Sequence, residues 1–186
     1  MKLNSCFSDN KGGIIVEAAF IFSFLSIITV GIIEYGSWLV MKSQVERVNY
    51  SIASVFRERN ALYAKNEIFS KDEVKNIYEL AKNLTYHRYD EGLCLRIEAI
   101  HFADSEKKNI NIHQNMEYGS GLCKELSSSS LDKKIEFSPY SNRKRWIPLY
   151  QVSLIIPTPK GSLNTLLKSV DILPEYVSAH TILLAR

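Results

Sequence analysis

The chain has no charged residue from Ala18 to Ile33, and no small-residue cleavage site follows that apolar run. A secretory signal carries such a site at its downstream end and leaves a soluble product, so an ordinary cleaved signal peptide is excluded. Catalytic signatures are missing as well. Nothing resembles a nucleophile elbow, a zinc-binding helix, a Walker phosphate loop or a dinucleotide-binding turn, so no catalytic residue, cofactor or metal is expected. Charge of one sign is not in excess: 23 Lys and Arg stand against 20 Asp and Glu, which implies no nucleic-acid preference. Neither proline nor glycine occurs from Ser37 to Ala64, and nothing there would break a helix. Cysteine is scarce, with only Cys6, Cys94 and Cys123.

What is present begins with length. A bilayer span needs about 20 mostly apolar residues, and Ile14 to Met41 supplies them with Glu17 and Glu34 as the only charged residues. Such a segment stays in the membrane. Lys2, Asp9 and Lys11 in the short polar leader favour a cytoplasmic N-terminus, with Lys42, Arg47, Arg57 and Arg59 on the other side reducing the asymmetry. Glu17 is the residue that needs a reason. A charge at the bilayer centre costs about 2.5–3.5 kcal/mol on insertion scales and is usually paired and functional. A cut between Gly12 and Gly13 would make Glu17 the fifth residue of the mature chain, about one helical turn from a new α-amino group. Its own amine or a neighbouring subunit's would be the natural partner, and the pairing would set the axial register of helices in an assembly. The plainer alternative places Glu17 at headgroup level, where a carboxylate costs little.

The run Gly12-Gly13-Ile14-Ile15-Val16-Glu17-Ala18-Ala19-Phe20, continuing through Gly31-Ile32-Ile33-Glu34-Tyr35-Gly36, resembles the N-terminal region of the TadE/TadF pseudopilins of the tight adherence (Tad, or Flp) pilus system. The resemblance implies processing by a dedicated prepilin peptidase at a glycine preceding four residues and a glutamate, with Gly12 the last leader residue and Gly13 the first mature one. The major Flp pilin has Tyr directly after its glutamate and is much shorter. Ala18 and the large C-terminal part favour the TadE/TadF branch, and TadF within it. The implied partners are the prepilin peptidase, other pilins or pseudopilins and an inner-membrane assembly platform. The implied location is the bacterial inner membrane, single-pass, with a periplasmic C-terminal domain that could enter the pilus. A minor pilin of a type IV pilus or type II secretion system is the runner-up, and an uncleaved signal-anchored envelope enzyme or sensor is the rival from another class.

Removing residues 1–12 takes away two Lys, one Asp and Cys6, which lowers the net charge from +3 to +2 and leaves an even number of cysteines. Outside the cytoplasm, two thiols in one small domain most often form a disulfide, and a Cys94–Cys123 bridge would stabilise it by roughly 3–4 kcal/mol. His101 and His113 fall between these cysteines and raise a zinc alternative, but the spacing matches none of the usual paired patterns.

The expected organisation is a leader at 1–12, a transmembrane and stem helix at 13–64 and an exported domain at 65–186. Val45, Val48, Ile52, Val55 and Phe56 recur at helical spacing, a stripe suited to covering the domain's own sheet. Ser70 and Glu73 form a capping-box pattern ahead of a helix burying Val74, Ile77, Tyr78, Ala81 and Leu84. Leu93, Leu95, Ile97 and Ala99 alternate with Arg96 and Glu98 as in a half-buried strand. Residues 104–134 read as a long polar loop, followed by a short strand at Ile135–Phe137. Stronger strands are expected at Leu149–Ile156, ended by Pro157 and Pro159, and at Tyr176–Leu184. The cluster Arg143-Lys144-Arg145-Trp146 reads as a solvated loop or as a contact for an acidic surface or lipid headgroups. The fold class is α+β: a long N-terminal transmembrane stem continuing into a small, mostly antiparallel sheet with one additional helix.

Overall fold

The computed structural model describes residues 10–58, 68–103, 107–119, 121–142, 144–158 and 174–184. The chain divides into two compact units, Met1–Leu39 with Lys160–Leu173, and Val40–Pro159 with Pro174–Arg186.

The described part of the first unit belongs to helix α1, Asn10–Arg57. Its most apolar window has a mean hydropathy of 2.2 and is 0% buried within the protein. In hydrocarbon every backbone N–H and C=O must be satisfied within the segment, so helix is the available structure although many of these residues are β-branched. The hydroxyls obey the same constraint. Ser23, Ser26 and Thr29 donate to the carbonyls of Ala19, Phe22 and Leu25 at 2.8, 2.7 and 2.8 Å, bonding back one turn. Tyr35 and Trp38 stack at 5.9 Å shortly before Lys42, the aromatic and basic signature of a membrane–water boundary.

The second unit takes over the helix from Val40. Met41, Val45, Val48, Asn49, Ile52, Ala53 and Phe56 are buried at three- and four-residue spacing. Val55, expected on the same stripe, is exposed, because it lies one residue off the row that meets the sheet. The helix ends at Arg57, and residues 59–64 of the expected stem lie outside the described residues.

The sheet has four strands, β1 (Cys94–Phe102), β2 (Ile110–Gly119), β3 (Leu149–Pro157) and β4 (Tyr176–Leu184), in the order β2-β1-β3-β4 with every pairing antiparallel. Helix α2 (Lys71–Leu84) starts at the expected capping box, with the Ser70 hydroxyl accepting from the Glu73 amide and the Glu73 carboxylate from the Ser70 amide. Val74, Tyr78 and Ala81 are its buried residues, whereas Leu84 is exposed. It is the last residue of the helix, beyond the reach of the sheet.

One sheet face, with Leu95, Ile97, Tyr150 and Val152, receives α1 and α2. Phe56 meets Tyr150 edge-on at 5.3 Å and Phe69 at 5.5 Å, and Tyr78 packs on Tyr118 at 4.9 Å. Buried Asn49 Nδ2 donates to Val152 O at 3.2 Å and to Thr181 Oγ1 at 2.8 Å, which fixes the helix against β3 and β4. Gly119, at φ +124°, closes β2 where a Cβ would collide with the Leu93 carbonyl and Cys94 Cα, so only glycine fits there.

The expected loop at 104–134 is corrected. It contains the ten-residue strand β2 and a 3₁₀ segment, Gly121–Ser129. The expected strand at Ile135–Phe137 is likewise the end of a second 3₁₀ segment, Leu131–Phe137. β2 is an edge strand and largely exposed; Ile110, Ile112, Met116 and Tyr118 alternate with polar residues along it, a period-two signal that the polar residues around it masked.

Candidate assembly site and the disulfide-closed face

Gly12, Gly13 and Glu17 all lie on α1. A Cβ added at Gly13 would meet nothing within 4 Å, so packing within this chain gives no reason for glycine at that position. Glu17 is exposed, and four residues from Gly13 it occupies the same helix face one turn on. The apolar surface around it has no cover among the described residues.

Cys94 and Cys123 are joined by a disulfide, with Cα atoms 5.5 Å apart. Cys94 opens β1 and Cys123 lies in the first 3₁₀ segment, so the bond fastens that segment over the other sheet face. Leu126 and Ile155 pack around it, with Leu122 and Tyr176 at the margin. Further along the same face Ile100, Phe102, Leu131 and Leu149 form a second apolar cluster. His101 faces the α1 side, its ring 5.9 Å from Tyr150. His113 lies on the opposite face, where Nδ1 is 3.4 Å from Asp132. The two histidines therefore do not converge with the cysteines.

Between the two apolar clusters runs a row of buried polar groups that the sequence did not reveal. Arg96 and Glu98, expected to face water on a half-buried strand, are only 8% and 1% exposed. The correction has a clear cause: the 3₁₀ segments cover the face on which they stand. Arg96 Nη2 pairs with Glu98 at 3.0 Å and Arg96 Nε with Glu117 at 3.3 Å. Glu98 also accepts from the Leu131 amide at 2.8 Å, which ties the start of the second 3₁₀ segment to the centre of β1. Gln151 donates to Ser153 Oγ at 3.2 Å, and His180 Nδ1 lies 2.9 Å from that hydroxyl. Loss of solvent, with Lys134 and Arg96 adding positive charge, holds the His180 pKa below its ordinary value. Ser153 is fully buried, so its hydroxyl has no path to a substrate. This row holds the covering segments in place.

Of the basic cluster, Arg143 lies outside the described residues, and Lys144, Arg145 and Trp146 are tied to their neighbours. Tyr140 bridges Trp146, Ser141 N donates to Arg145 O at 2.8 Å, and Lys144 N donates to Ser141 O at 2.9 Å. Lys108 sits 4.6 Å over the Trp146 ring and donates to Ser138 O at 2.8 Å; burial there pushes its pKa below the usual lysine value.

A long apolar helix without cover among the described residues, joined to a small α+β unit, fits a membrane-anchored subunit. The sequence matches the family described as "putative tight adherence pilin protein F" over residues 6–186. The chain therefore belongs to the TadF family and is a component of a Tad pilus system. Membership points to a structural role and to contacts with other pilus components. No curated protein and no solved structure is significantly similar to it.

Proposed function

We propose that this chain is a minor pseudopilin of a Tad/Flp pilus, matured by a prepilin peptidase between Gly12 and Gly13 and acting in pilus assembly or initiation for surface adherence. The observation that carries the proposal is an exposed acid, Glu17, one turn from Gly13 on an apolar helix that nothing in the described chain covers. Cleavage places a positively charged amine on the same helix face as Glu17. Carboxylate and amine then neutralise one another, within one subunit or between two, and that pairing offsets the cost of an acid in the membrane. Made between two subunits, the pairing also selects one axial offset between neighbouring helices, since any other offset leaves both charges without that partner.

The N-terminus is cytoplasmic and the C-terminal unit periplasmic in this reading, with the disulfide suited to that oxidising compartment. The family match over nearly the whole chain favours the Tad system over a type IV pilus or type II secretion system. The test is intact mass and N-terminal sequencing of the protein from its native host, with and without the peptidase. A chain beginning at Gly13 only when the peptidase is present is expected, together with loss of assembly in Glu17→Ala. An uncut chain in both strains, with Glu17→Ala tolerated, would overturn the proposal and leave a signal-anchored envelope protein.

A further inference from the structure

Strand β2 is the outer strand of the sheet, and no residue along it is buried. The outer side of such a strand presents a row of backbone N–H and C=O groups, a template for another strand. Among the described residues, no backbone group from outside the sheet bonds to Ile112–Tyr118. The ladder to β1 is regular from Ile112 to Gly119 and shifts only where Asn111 is passed over beside Ile110. Neither proline nor lysine, two common means of blunting an edge, occurs in that regular stretch.

A recess of about 370 Å³ lies against the strand, lined by Asn115, Met116, Glu117 and Tyr118 together with Lys71 and Val74 of α2. Successive side chains of a strand point to opposite faces, so a space that touches four residues in a row lies beside the strand and not on either face. Lys71 and Val74 roof it. An added strand would occupy this place.

We propose that β2 of a second copy lies there, antiparallel and centred on Asn115, so that two four-stranded sheets join edge to edge. The pattern along β2 complements itself in that register. Ile112 comes opposite Tyr118, Gln114 opposite Met116 and His113 opposite Glu117, each pair twice, with Asn115 opposite its own copy on the two-fold axis. Cross-strand pairs of opposite charge, and of a β-branched with an aromatic residue, are the favourable ones. His113 turns Nδ1 toward Asp132 at 3.4 Å, which leaves Nε2 for the carboxylate of the second copy; Glu117 meets Arg96 through Oε1 at 3.3 Å, which leaves Oε2 to accept. The shapes agree as well. α2 stands over residues 115–118, the half that receives residues 112–115 of the copy, so the two α2 helices occupy opposite halves of the joint. Pairing from Ile112 to Tyr118 forms about six to eight backbone hydrogen bonds, within the range of a typical interface. A register centred on Gln114 would bring the irregular Asn111 opposite Glu117, and an in-register parallel copy would set Glu117 against Glu117, an unfavourable pair. Because each residue finds its complement within the same strand, the contact is isologous and closes a dimer. It involves the C-terminal unit alone and holds whether or not the chain is cut at Gly12.

The test uses the full chain, carrying Cys6→Ser, in membranes of its native host. Asn115→Cys sets two thiols across the axis with Cα atoms about 4.5–5.5 Å apart, inside the span of a disulfide, so mild oxidation should link a dimer. Glu117→Cys, on the same face, should give at least tenfold less, because its two copies stand farther apart than a disulfide reaches. In the Asn115→Cys chain at about pH 6, adding His113→Glu should lower the yield about tenfold, since two attractive pairs turn repulsive, and adding Glu117→His as well should restore it. Arg96 donates to Asn115 at 3.2 Å, so a second route spares that bond: His113→Cys and Glu117→Cys in two differently tagged copies should form a disulfide carrying both tags. Equal yields at positions 115 and 117, a dimer indifferent to His113→Glu, a disulfide to a different protein, or no dimer by either route would each overturn the pairing.

Discussion

Replacing Cys94 and Cys123 together by Ala should cost the C-terminal unit most of what the covalent tie contributes. The two residues are 29 apart in sequence, and the chain-entropy relation for a loop of that size gives about 3–4 kcal/mol at room temperature. Typical domains have only about 5–15 kcal/mol in total, so the loss is a large fraction of the stability. It should also be local at first. The first 3₁₀ segment reaches the sheet through the cluster of Cys94, Cys123, Leu126 and Ile155, and two of those four residues are the bond itself. Loosening Gly121–Ser129 admits water to the Arg96–Glu98 pair beneath, which strengthens the effect. Urea unfolding of the full chain in detergent, followed through tryptophan fluorescence with Trp38 replaced by Phe, should show a midpoint lower by about 1–4 M, given slopes of about 1–3 kcal/mol per M for small proteins. Hydrogen exchange should quicken at Leu126 before the β1 amides respond. A midpoint unchanged on substitution, or exchange that quickens first in β1, would refute the reasoning and mean that packing alone holds the covering segments.

Removing Glu98 tests the polar row. Glu98→Ala leaves the Arg96 guanidinium buried with its closest partner gone and the Leu131 amide without an acceptor, at a cost of about 3–5 kcal/mol, whereas Glu98→Gln retains an acceptor for Leu131 and should recover part of it; equal midpoints for both variants in urea would contradict this account. His180 gives a pH dependence of definite sign. Its folded pKa lies below the ordinary 6.5, so the unfolded chain takes up a proton first as pH falls. The His180 contribution is thus fully present above about 6.5 and is lost as pH drops below that value toward the folded pKa. Unfolding midpoints measured across that window should fall with pH in the native chain and fall less in His180→Asn; parallel profiles would dismiss the assignment.

The membrane segment shows why some features were legible and others not. Hydrophobic length between Ile14 and Met41, with hydroxyls able to bond their own helix, is a local property that no tertiary contact can reverse. The capping box at Ser70 and the strands at β3 and β4 were legible for the same reason, since each is encoded within a few residues. Edge strand β2 was overlooked although Ile110, Ile112, Met116 and Tyr118 alternate with polar residues, because Gln114 interrupts the apolar row and the Ser-, Asn- and Lys-rich flanks suit a loop. The 3₁₀ segments were hidden by their Ser and Lys content, which suits a loop and is tolerated here because the disulfide and the Glu98–Leu131 bond hold the backbone down.

The same division holds for the candidate sites. Gly12, Gly13 and Glu17 could be singled out from sequence alone because their chemistry depends on spacing along one helix, and their readable context is the absence of charge around them. The burial of Arg96 and Glu98 and the joining of Ser153 to His180 were decided only by the tertiary structure. Those features bring together residues tens of positions apart, and the free energy that assembles them comes from covering the sheet on both faces, a term no single segment contains.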